Sequence, residues 1–389
     1  MSDTPLRPGP VLEALLREGL GASTSAIKQR GPSMRGEIDW VSLCALSHRC
    51  RIAPVLYQCL RGSVHSAPRG VMEWFRTRYY ENVAQNLALQ NELRDLLRWL
   101  SEAGVPVIVL KGLALAHLGL GLARTSRDLD VLIHDGDLPR VDAILERHGY
   151  QAWPDPTHDF HRRYGRSTPS GTRVVEVHFT LSDRPRNYRP DVPGIWSRSE
   201  ETAIFEAPAR VPELQDHLLL TLMQVPHHHW AMRLLVDVWQ VVLRWGDAID
   251  WAGFLIRAGE WQMGVLTRST LHALGTMFGV PIPSGAMSTS QPRGYLERVQ
   301  WRVARGAIAE QLEHPFRPRM TYLAPFMMVD HPRELPGTIV KRTLGADASA
   351  EEDALHTAAR RTTATAAALP ALGRVLLASI AQPRSRGEE

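Results

Sequence analysis

Residues 107–133 read VIVLKGLALAHLGLGLARTSRDLDVLI, and two short apolar runs in this stretch are separated by a helix-like segment. The first run, which ends at Leu110, is rich in β-branched residues and has a glycine on either side, as is typical of a buried strand. Leu113–Leu122 is helix-like, and a polar turn then leads to a second strand at Asp128–His134. We therefore expect mixed α/β structure to begin at residue 104.

The following residues add a helix and a hairpin to this core. Leu138–Gly149 is amphipathic and ends at a glycine, a common helix terminus. Asp159–Arg166 and Thr172–Leu181 lie on either side of a turn, and their composition predicts a β-hairpin. The second strand of this hairpin carries Glu176 and His178.

Helical segments lie on both sides of the core. Apolar residues recur at helical spacing before and after it, and neither region has a strand pattern of comparable strength. Segments 281–294 and 337–352 are rich in Pro, Gly, Ser, Ala or acidic residues, and we interpret them as mobile loops. The expected fold class is α+β: a small mixed-sheet core with flanking helices at 104–210, between a helical N-terminal region at 1–103 and a helical C-terminal domain at 211–389.

The composition is that of a globular protein and excludes little. The chain has 389 residues, of which 44% are hydrophobic and 22% are charged, enough for several domains. Its net charge of +4 is a small excess, and the basic clusters lack the interleaved aromatic residues of nucleic-acid binders. Nucleic acid is therefore not indicated as a partner.

The sequence favours a cytoplasmic protein without a membrane segment. The N-terminus MSDTPLRPGP has an early aspartate and prolines where a signal peptide needs an apolar run. Lys111, His117 and three glycines interrupt the apolar region 105–123. The three cysteines are odd in number and lack CxxC spacing, as expected of a protein with reduced thiols.

Acidic side chains on two predicted strands are spaced for metal binding. Side chains two apart on a strand point to the same face, so Asp128 and Asp130 project together, as do Glu176 and His178. Carboxylates that paired strands bring to one face can form the oxygen cage that a hard cation prefers. The predicted ligands are Asp128, Asp130 and Glu176, with Mg²⁺ as the expected ion and Mn²⁺ as the alternative. An isolated Asp-x-Asp is nevertheless common at strand edges.

A phosphate site is predicted where the first strand ends. Lys111-Gly112 stands between a buried strand and a helix, where free backbone N–H groups and the helix dipole favour an anion and glycine allows close approach. A strand, a glycine turn, a helix, paired aspartates and a third carboxylate in this order are much rarer than Asp-x-Asp alone. A metal ion at such a site can neutralise phosphates and orient an in-line attack on phosphorus.

Three runs of the sequence, VIVLKGLALA, ARTSRDLDVLI and VVEVHF, resemble the bacterial uncharacterised nucleotidyltransferases of the DNA polymerase β superfamily. The likeness extends loosely into RIAPVLYQCL before the core and RLLVDVWQVV after it. In that superfamily two aspartates and a third acidic residue bind the metal, which implies this role for Asp128, Asp130 and Glu176. Broader members have Gly-Ser in the phosphate turn, whereas this chain has Lys111-Gly112, which leaves the lysine to supply charge in place of the hydroxyl contact.

The resemblance implies roles for further residues and leaves alternatives open. Arg124 matches an arginine four residues before the first aspartate, where a cation can contact the triphosphate tail. Alternatively, Arg124 is a solvent-exposed residue of the turn. For Arg127 this exposed position is the favoured interpretation. His178 either orients Glu176 or touches the substrate, or it is a hydrogen-bonded, half-buried histidine. Asp237 is interpreted as a cap or brace of the catalytic core.

The resemblance implies a metal-dependent nucleotidyltransferase. Such an enzyme would transfer an NMP group, with ATP as the favoured donor, to an acceptor hydroxyl on a small molecule, a peptide or a protein, and release pyrophosphate. Glu176 is the expected proton acceptor, because the third carboxylate lies nearest the attacking oxygen in the two-metal scheme.

Two other classes of protein remain as alternatives. A non-catalytic nucleotide-binding or regulatory protein with the same fold is supported by the missing serine hydroxyl, but it is disfavoured because three mutually repelling carboxylates are retained together. A glycosyltransferase also uses Asp-x-Asp, yet its fold needs several βα units before that motif, and one strand is evident before Asp128. Motifs of P-loop NTPases, zinc proteases, α/β-hydrolases and protein kinases are absent from the sequence.

Overall fold

The computed structural model describes residues 8–21, 37–63, 67–153, 160–169, 171–181, 188–292 and 294–313, together with Met328 and Asp330. Contacts within the chain divide it into two compact units. Of the described residues, the first unit comprises those within 1–183, 189–221 and 236–250, and the second comprises Tyr188 and those within 222–235 and 251–330. The expected domain boundaries at residues 103 and 210 stay predictions, and the expected loop 337–352 lies outside the described residues.

A mixed β-sheet lies in the first unit. Its strands in the described residues are β1 (Ile108–Val109), β2 (Leu129–Leu132), β3 (Gln151–Trp153), β4 (His161–Thr168), β5 (Gly171–His178), β6 (Glu200–Ile204) and β7 (Ala207–Val211). Their order across the sheet is β3-β4-β5-β2-β1-β7-β6. The pairs β2–β5 and β1–β7 are parallel, and the other neighbours are antiparallel. The predicted α+β class with a small mixed sheet is confirmed.

Helices precede, interrupt and follow these strands along the chain. Before the sheet come α1 (Pro8–Gly21), α2 (Trp40–Arg49), α3 (Ala53–Gly62) and the long α4 (Arg69–Glu102). Between strands lie α5 (Lys111–Leu115), α6 (Leu138–Arg147) and α7 (Val192–Arg198). After the sheet come α8 (Leu214–His227), α9 (Met232–Trp245), α10 (Trp251–Glu260), α11 (Gly264–Phe278), α12 (Ser284–Thr289) and α13 (Gly294–Glu313).

The helix predicted over Leu113–Leu122 begins earlier and changes its geometry. The α-helical part, α5, starts at Lys111 and is followed by a π-helical turn over Ala116–Leu120. Gly119 in this turn has a φ of 112°, a conformation that glycine adopts without the penalty of a Cβ atom. Strand β1, which precedes α5, comprises two residues, Ile108 and Val109, and is therefore shorter than the apolar run that predicts it.

The long helix α4 forms the apolar layer against one face of the sheet. Leucines recur along it at helical spacing and are at most 1% exposed: Leu89, Leu93, Leu96, Leu97 and Leu100. They share one hydrophobic core with Leu129 and Val131 of β2 and with Val175 and Val177 of β5. Because side chains alternate along a strand, the residues between these apolar positions face the other side of the sheet.

The hairpin of β6 and β7 is an addition to the strands that the sequence predicts. Phe205 and Glu206 form its two-residue turn, with φ values of 49° and 67°. A turn with two left-handed residues usually carries Asn-Gly or Asp-Gly, and this one has neither. The usual sequence signal for the hairpin is therefore missing, although β7 continues the sheet beside β1 through the pairing of Arg210 with Ile108.

The second unit is helical in its described residues. Helix α11 packs against α10 and α13, and its N-terminus is capped by Asp330, which accepts hydrogen bonds from the amides of Gly264 at 2.9 Å and Val265 at 2.7 Å. The segment 281–294, expected to be a loop, contains the short helix α12. None of the helices in the described part of the chain combines the length and apolarity needed to cross a bilayer.

Candidate active site

Lys111 lies where β1 ends, beside the strand that carries Asp130. The strands β1 and β2 are antiparallel, and the Leu110 amide donates a hydrogen bond to the Asp130 carbonyl at 2.9 Å. The chain then turns at Lys111, whose φ of 50° lies in the left-handed region that residues with a Cβ atom rarely adopt. Such a conformation costs about 1–3 kcal/mol and is found preferentially at functional sites.

Asp130 and Glu176 are direct neighbours on adjacent parallel strands. The register of β2 and β5 pairs Asp130 with Glu176, and the same register pairs Leu132 with His178. Leu129 and Val131 point into the core, so Asp130 faces the opposite side of the sheet. Glu176 and His178 share a face of β5 for the same reason, and their atoms come close to Asp130.

The ammonium group of Lys111 lies among these three side chains. Its Nζ atom is 2.5 Å from Oδ1 of Asp130, 3.9 Å from Oε2 of Glu176 and 3.5 Å from Nε2 of His178. The His178 Nε2 atom is 3.1 Å from the same Asp130 oxygen and 3.9 Å from the Glu176 oxygen. His178 therefore contacts Asp130 more closely than Glu176, and at 4% exposure it is fully buried and not half-buried.

A second cation contacts Glu176 from the neighbouring strand. Arg163 is paired with Glu176 in the register of β4 and β5, and its Nε atom lies 3.3 Å from Oε1 of Glu176. Arg163 belongs to no recognisable motif of the sequence and lies close to Arg162 and Arg166. Its place opposite Glu176 follows from the hairpin register, which the sequence leaves undetermined by one or two residues.

The charges of the cluster shift the pKa values of its members. Burial acts to raise the pKa of Asp130, but Lys111 and His178 outweigh it and hold this pKa well below its usual range. Burial and then the negative charge of Asp130 raise the pKa of Glu176 to about 7. Burial acts to lower the pKa of Lys111, but the carboxylates of Asp130 and Glu176 outweigh it and raise this pKa. At neutral pH an ionised Asp130 therefore faces a charged ammonium, and Glu176 can gain or lose a proton.

The donor atoms of this cluster fit a divalent metal ion. Asp130, Glu176 and His178 each offer one ligand atom, and these atoms lie within 4.8 Å of one another, so the two carboxylates and the imidazole could hold a metal ion. The predicted ligand Asp128 precedes β2 and is exposed, outside this close group. Its negative charge nevertheless acts on both Lys111 and Glu176, so it belongs to the same electrostatic environment.

Gly112 and Arg124 of the predicted phosphate site pack against each other. A Cβ atom on Gly112 would lie 2.6 Å from Nη1 of Arg124 and 2.8 Å from Oγ of Ser126. Arg124 is 8% exposed and directs its guanidinium to Asp237 and to Ser126, whose Oγ accepts a hydrogen bond from Nη1 at 2.8 Å. The interpretation as a solvated turn is therefore wrong for Arg124, whereas Arg127 is exposed as expected. A contact of Arg124 with phosphate stays a prediction.

The turn that contains Arg124 is held from two distant parts of the chain. The Asp237 Oδ2 atom of α9 accepts a hydrogen bond from Nε of Arg124 at 3.1 Å and lies 3.0 Å from Nη2. From α4, the side-chain amide of Asn86 donates to the Arg124 carbonyl at 2.7 Å and to the Leu122 carbonyl at 2.9 Å, and Asn82 contacts the same two oxygens. The brace expected of Asp237 is thus observed, and the two asparagines, four residues apart on a leucine-rich helix, are the signal that sequence reasoning missed.

A cavity of about 340 Å³ lies at the carboxyl ends of β2 and β5. Apolar side chains supply most of its lining, and the indole of Trp196 stacks on the imidazole of His134 with ring centroids 4.0 Å apart. Ile133 and Phe179, which also line it, each follow one of the acidic strand positions by three residues. Three residues of strand correspond to about 10 Å along the sheet.

No curated protein matches the chain. Among solved structures it is similar to ANT(2")-Ia in complex with adenylyl-2"-tobramycin, at 12% identity and a TM-score of 0.34, covering 45% of this chain and 97% of that chain. It is also similar to an antigenic nucleotidyltransferase-like protein from Paracoccidioides brasiliensis, at 15% identity and a TM-score of 0.36, covering 51% of this chain and 95% of that chain. The profile of a family described as uncharacterised nucleotidyltransferase matches residues 36–279, which is more than half of the chain. On this match, and as its sequence motifs predict, the chain belongs to the uncharacterised nucleotidyltransferase family.

Proposed function

We propose that the protein transfers a nucleoside monophosphate group from a nucleoside triphosphate to an acceptor hydroxyl in a metal-dependent reaction. The observation that carries this proposal is the in-register pair Asp130 and Glu176 on adjacent parallel strands, with the Lys111 ammonium beside both. Membership of a nucleotidyltransferase family supports the reaction class. ATP is the favoured donor, and pyrophosphate is the leaving product.

Asp128, Asp130 and Glu176 are the proposed metal ligands, and His178 lies close enough to join them. The expected ion is Mg²⁺, with Mn²⁺ as the alternative. When bound, such an ion neutralises the phosphate oxygens and favours an in-line attack on the α-phosphorus. The fit of the site rests on its donor set, since carboxylate oxygens suit a hard cation such as Mg²⁺ or Mn²⁺.

The residues of the chain then have separate tasks in the transfer. The acceptor hydroxyl oxygen forms a bond to the α-phosphorus, the bond from that phosphorus to the bridging oxygen breaks, and the hydroxyl proton passes to the Glu176 carboxylate. Glu176 is the proposed acceptor of this proton because the third carboxylate lies nearest the attacking oxygen in the two-metal scheme. Lys111 supplies positive charge to the triphosphate, in the role that the turn residues imply.

The acceptor is a small molecule, a peptide or a protein that presents a hydroxyl group. The cavity at the carboxyl ends of β2 and β5 is the candidate place for its apolar part, because most of the cavity lining is apolar. The indole of Trp196 offers a flat surface there on which a ring can stack.

Metal-dependent nucleotide binding is the experiment that tests the proposal, because it does not require the acceptor. Binding of a non-hydrolysable ATP analogue is measured by calorimetry with Mg²⁺ and with a chelator, for the wild type and for an Asp128→Ala, Asp130→Ala double variant. In Mg²⁺ we expect the wild type to bind the analogue tightly and the double variant to bind it at least about a hundredfold more weakly. With the chelator, we expect the wild type to lose this tight binding. Asp247→Asn, which removes an exposed carboxylate elsewhere in the first unit, is the matched control and should bind as the wild type does. Equal binding with and without Mg²⁺ would remove the basis of the proposal.

A further inference from the structure

We propose that Lys111 is a resident counter-cation of the acidic cluster, which it leaves when a metal–triphosphate complex binds, so that the complex and not the bare ion is the preferred ligand of the site. This inference rests on the proposed function and deepens it, because it names the species that the site selects. It concerns the order in which the ligands arrive, and it assigns Lys111 two successive partners, first Asp130 and then the triphosphate.

The position of the ammonium is the first observation behind this inference. Nζ of Lys111 lies within 3.9 Å of one donor atom on each of Asp130, Glu176 and His178. These are the same three residues that each offer one ligand atom within 4.8 Å of the others and could hold a metal ion. A divalent ion bound by this set would need the space that the ammonium takes, and two cations at such distances repel strongly.

The choice of lysine at this position is the second observation. Among the 45 basic residues of the chain there are three lysines, Lys28, Lys111 and Lys341, and all the others are arginines. An arginine binds a carboxylate through a planar, bidentate fork, whereas an ammonium is a compact point charge on a flexible stem. The residue beside Asp130 is therefore a lysine, in a chain whose other basic residues are nearly all arginines. A lysine ammonium is easier to displace from a carboxylate and to redirect than a guanidinium is.

The surroundings of Lys111 allow the movement. Its side chain is 22% exposed, in contrast to the 5% exposure of Asp130, so part of the lysine side chain is open to solvent while its ammonium group touches the acid. The side chain has four rotatable bonds, and a triphosphate placed at the open side would offer it oxygen atoms of higher charge density than one carboxylate. Metal binding and lysine release are then coupled, since each favours the other through the charge on the phosphates.

Mn²⁺ affinity without nucleotide is the first test, measured from the paramagnetic resonance signal of the free ion. We expect Lys111→Met to bind Mn²⁺ at least about tenfold more tightly than the wild type, because the competing charge is gone. Lys111→Arg should bind it no more tightly than the wild type. Arg127→Met removes one positive charge from an exposed position of the same region and should change the affinity by less than about threefold.

Affinity for a Mg²⁺ complex of a non-hydrolysable ATP analogue should change in the opposite direction. We expect Lys111→Met to bind this complex at least about tenfold more weakly, because the phosphates lose their charged partner. A variant that is merely damaged would lose both affinities, so the gain for the bare ion is the diagnostic result. If Lys111→Met binds Mn²⁺ no more tightly than the wild type, while the Asp128→Ala, Asp130→Ala variant loses Mn²⁺, this inference is wrong and the proposed metal site stands. If the double variant keeps wild-type Mn²⁺ affinity, the proposed function itself fails.

A measurement on the wild-type chain keeps the inference testable if Lys111→Met does not fold. With three lysines in the sequence, lysine-selective ¹³C labelling gives a simple spectrum of Cε–Hε signals. The Lys111 signal is assigned as the one that Lys111→Arg lacks, or as the one most broadened by Mn²⁺. We expect this signal to shift when the Mg²⁺–analogue complex binds. If the chemical shift of the Lys111 signal does not change at a saturating concentration of the complex, the inference is wrong.

Discussion

Removal of the Asp237 carboxylate tests whether the buried ion pair with Arg124 stabilises the turn before the acidic strand. The Asp237 Oδ2 atom lies 3.1 Å from Nε and 3.0 Å from Nη2 of Arg124, and the two side chains are 3% and 8% exposed. Asp237→Ala would leave an uncompensated cation in the interior, which costs about 3–5 kcal/mol. Domains are stable by roughly 5–15 kcal/mol, so the loss would be a large fraction of the total.

Hydrogen exchange followed by mass spectrometry on peptides spanning residues 123–133 measures this loss locally. We expect the amides of β2 to exchange about two to four orders of magnitude faster in Asp237→Ala, which is the same free energy expressed as an opening constant. Arg127→Ala is the matched control, since it removes an exposed arginine from the same turn and should change stability by less than about 0.5 kcal/mol.

A double-mutant cycle identifies the pair as the cause. The Arg124→Ala, Asp237→Ala variant should be destabilised by up to about 3 kcal/mol less than the sum of the single variants, because neither charge is then left alone. Unchanged exchange in Asp237→Ala, or single effects that simply add, would refute the reasoning from burial. A direct role of Arg124 at the phosphates is a separate prediction, for which nucleotide affinity and not stability is the readout.

Two further predictions concern neighbours of this ion pair. Burial and then the positive charge of Arg124 lower the pKa of His217 to about 4, so the unfolded chain binds a proton below pH 6.5 that the folded chain does not. Stability should therefore fall by up to about 3 kcal/mol as the pH drops from about 6.5 to 4; urea unfolding at several pH values measures this slope, and the slope should flatten in His217→Leu. Gly112→Ala would place a Cβ atom 2.6 Å from Arg124 and 2.8 Å from Ser126, and we expect a loss of about 1–3 kcal/mol in thermal unfolding. Gly70→Ala has no atom within 4 Å of the added carbon and serves as its control, and similar melting temperatures for the two variants would contradict the packing argument.

The strands of the candidate site are predictable from the sequence because their signals are local. Alternation of Asp128-Leu129-Asp130-Val131 and of Val175-Glu176-Val177-His178 separates an apolar face from an acidic one, and the structure has Leu129, Val131, Val175 and Val177 in the core. Alternation does not reveal which strands are neighbours. The direct pairing of Asp130 with Glu176 depends on a parallel register between segments far apart in sequence, for which the family resemblance was the available guide.

The environment of Arg124 could not be predicted in the same way. Its partner Asp237 is 113 residues away, and the asparagines that bind its carbonyl are 42 and 38 residues before it. A polar turn with two arginines looks solvent-exposed when only its own residues are considered, because long-range packing and not local composition decides burial. The hairpin β6–β7 was missed for a different reason, since its left-handed turn is made by Phe205 and Glu206 and not by residues that favour such a turn.

The Arg124 turn is bound by side chains of both α4 and α9, and these contacts limit how the chain can be shortened. A fragment of residues 104–210 would include the acidic strands but would lack Asn82, Asn86 and Asp237. Its guanidinium at position 124 would lose its carboxylate, and the carbonyls of the turn would lose their donors. During synthesis, likewise, the turn cannot be completed until α9 has left the ribosome, even though strands β1–β7 all precede that helix. Expression trials that begin before α4 and continue past α9 should therefore yield folded protein, whereas the excised sheet should not.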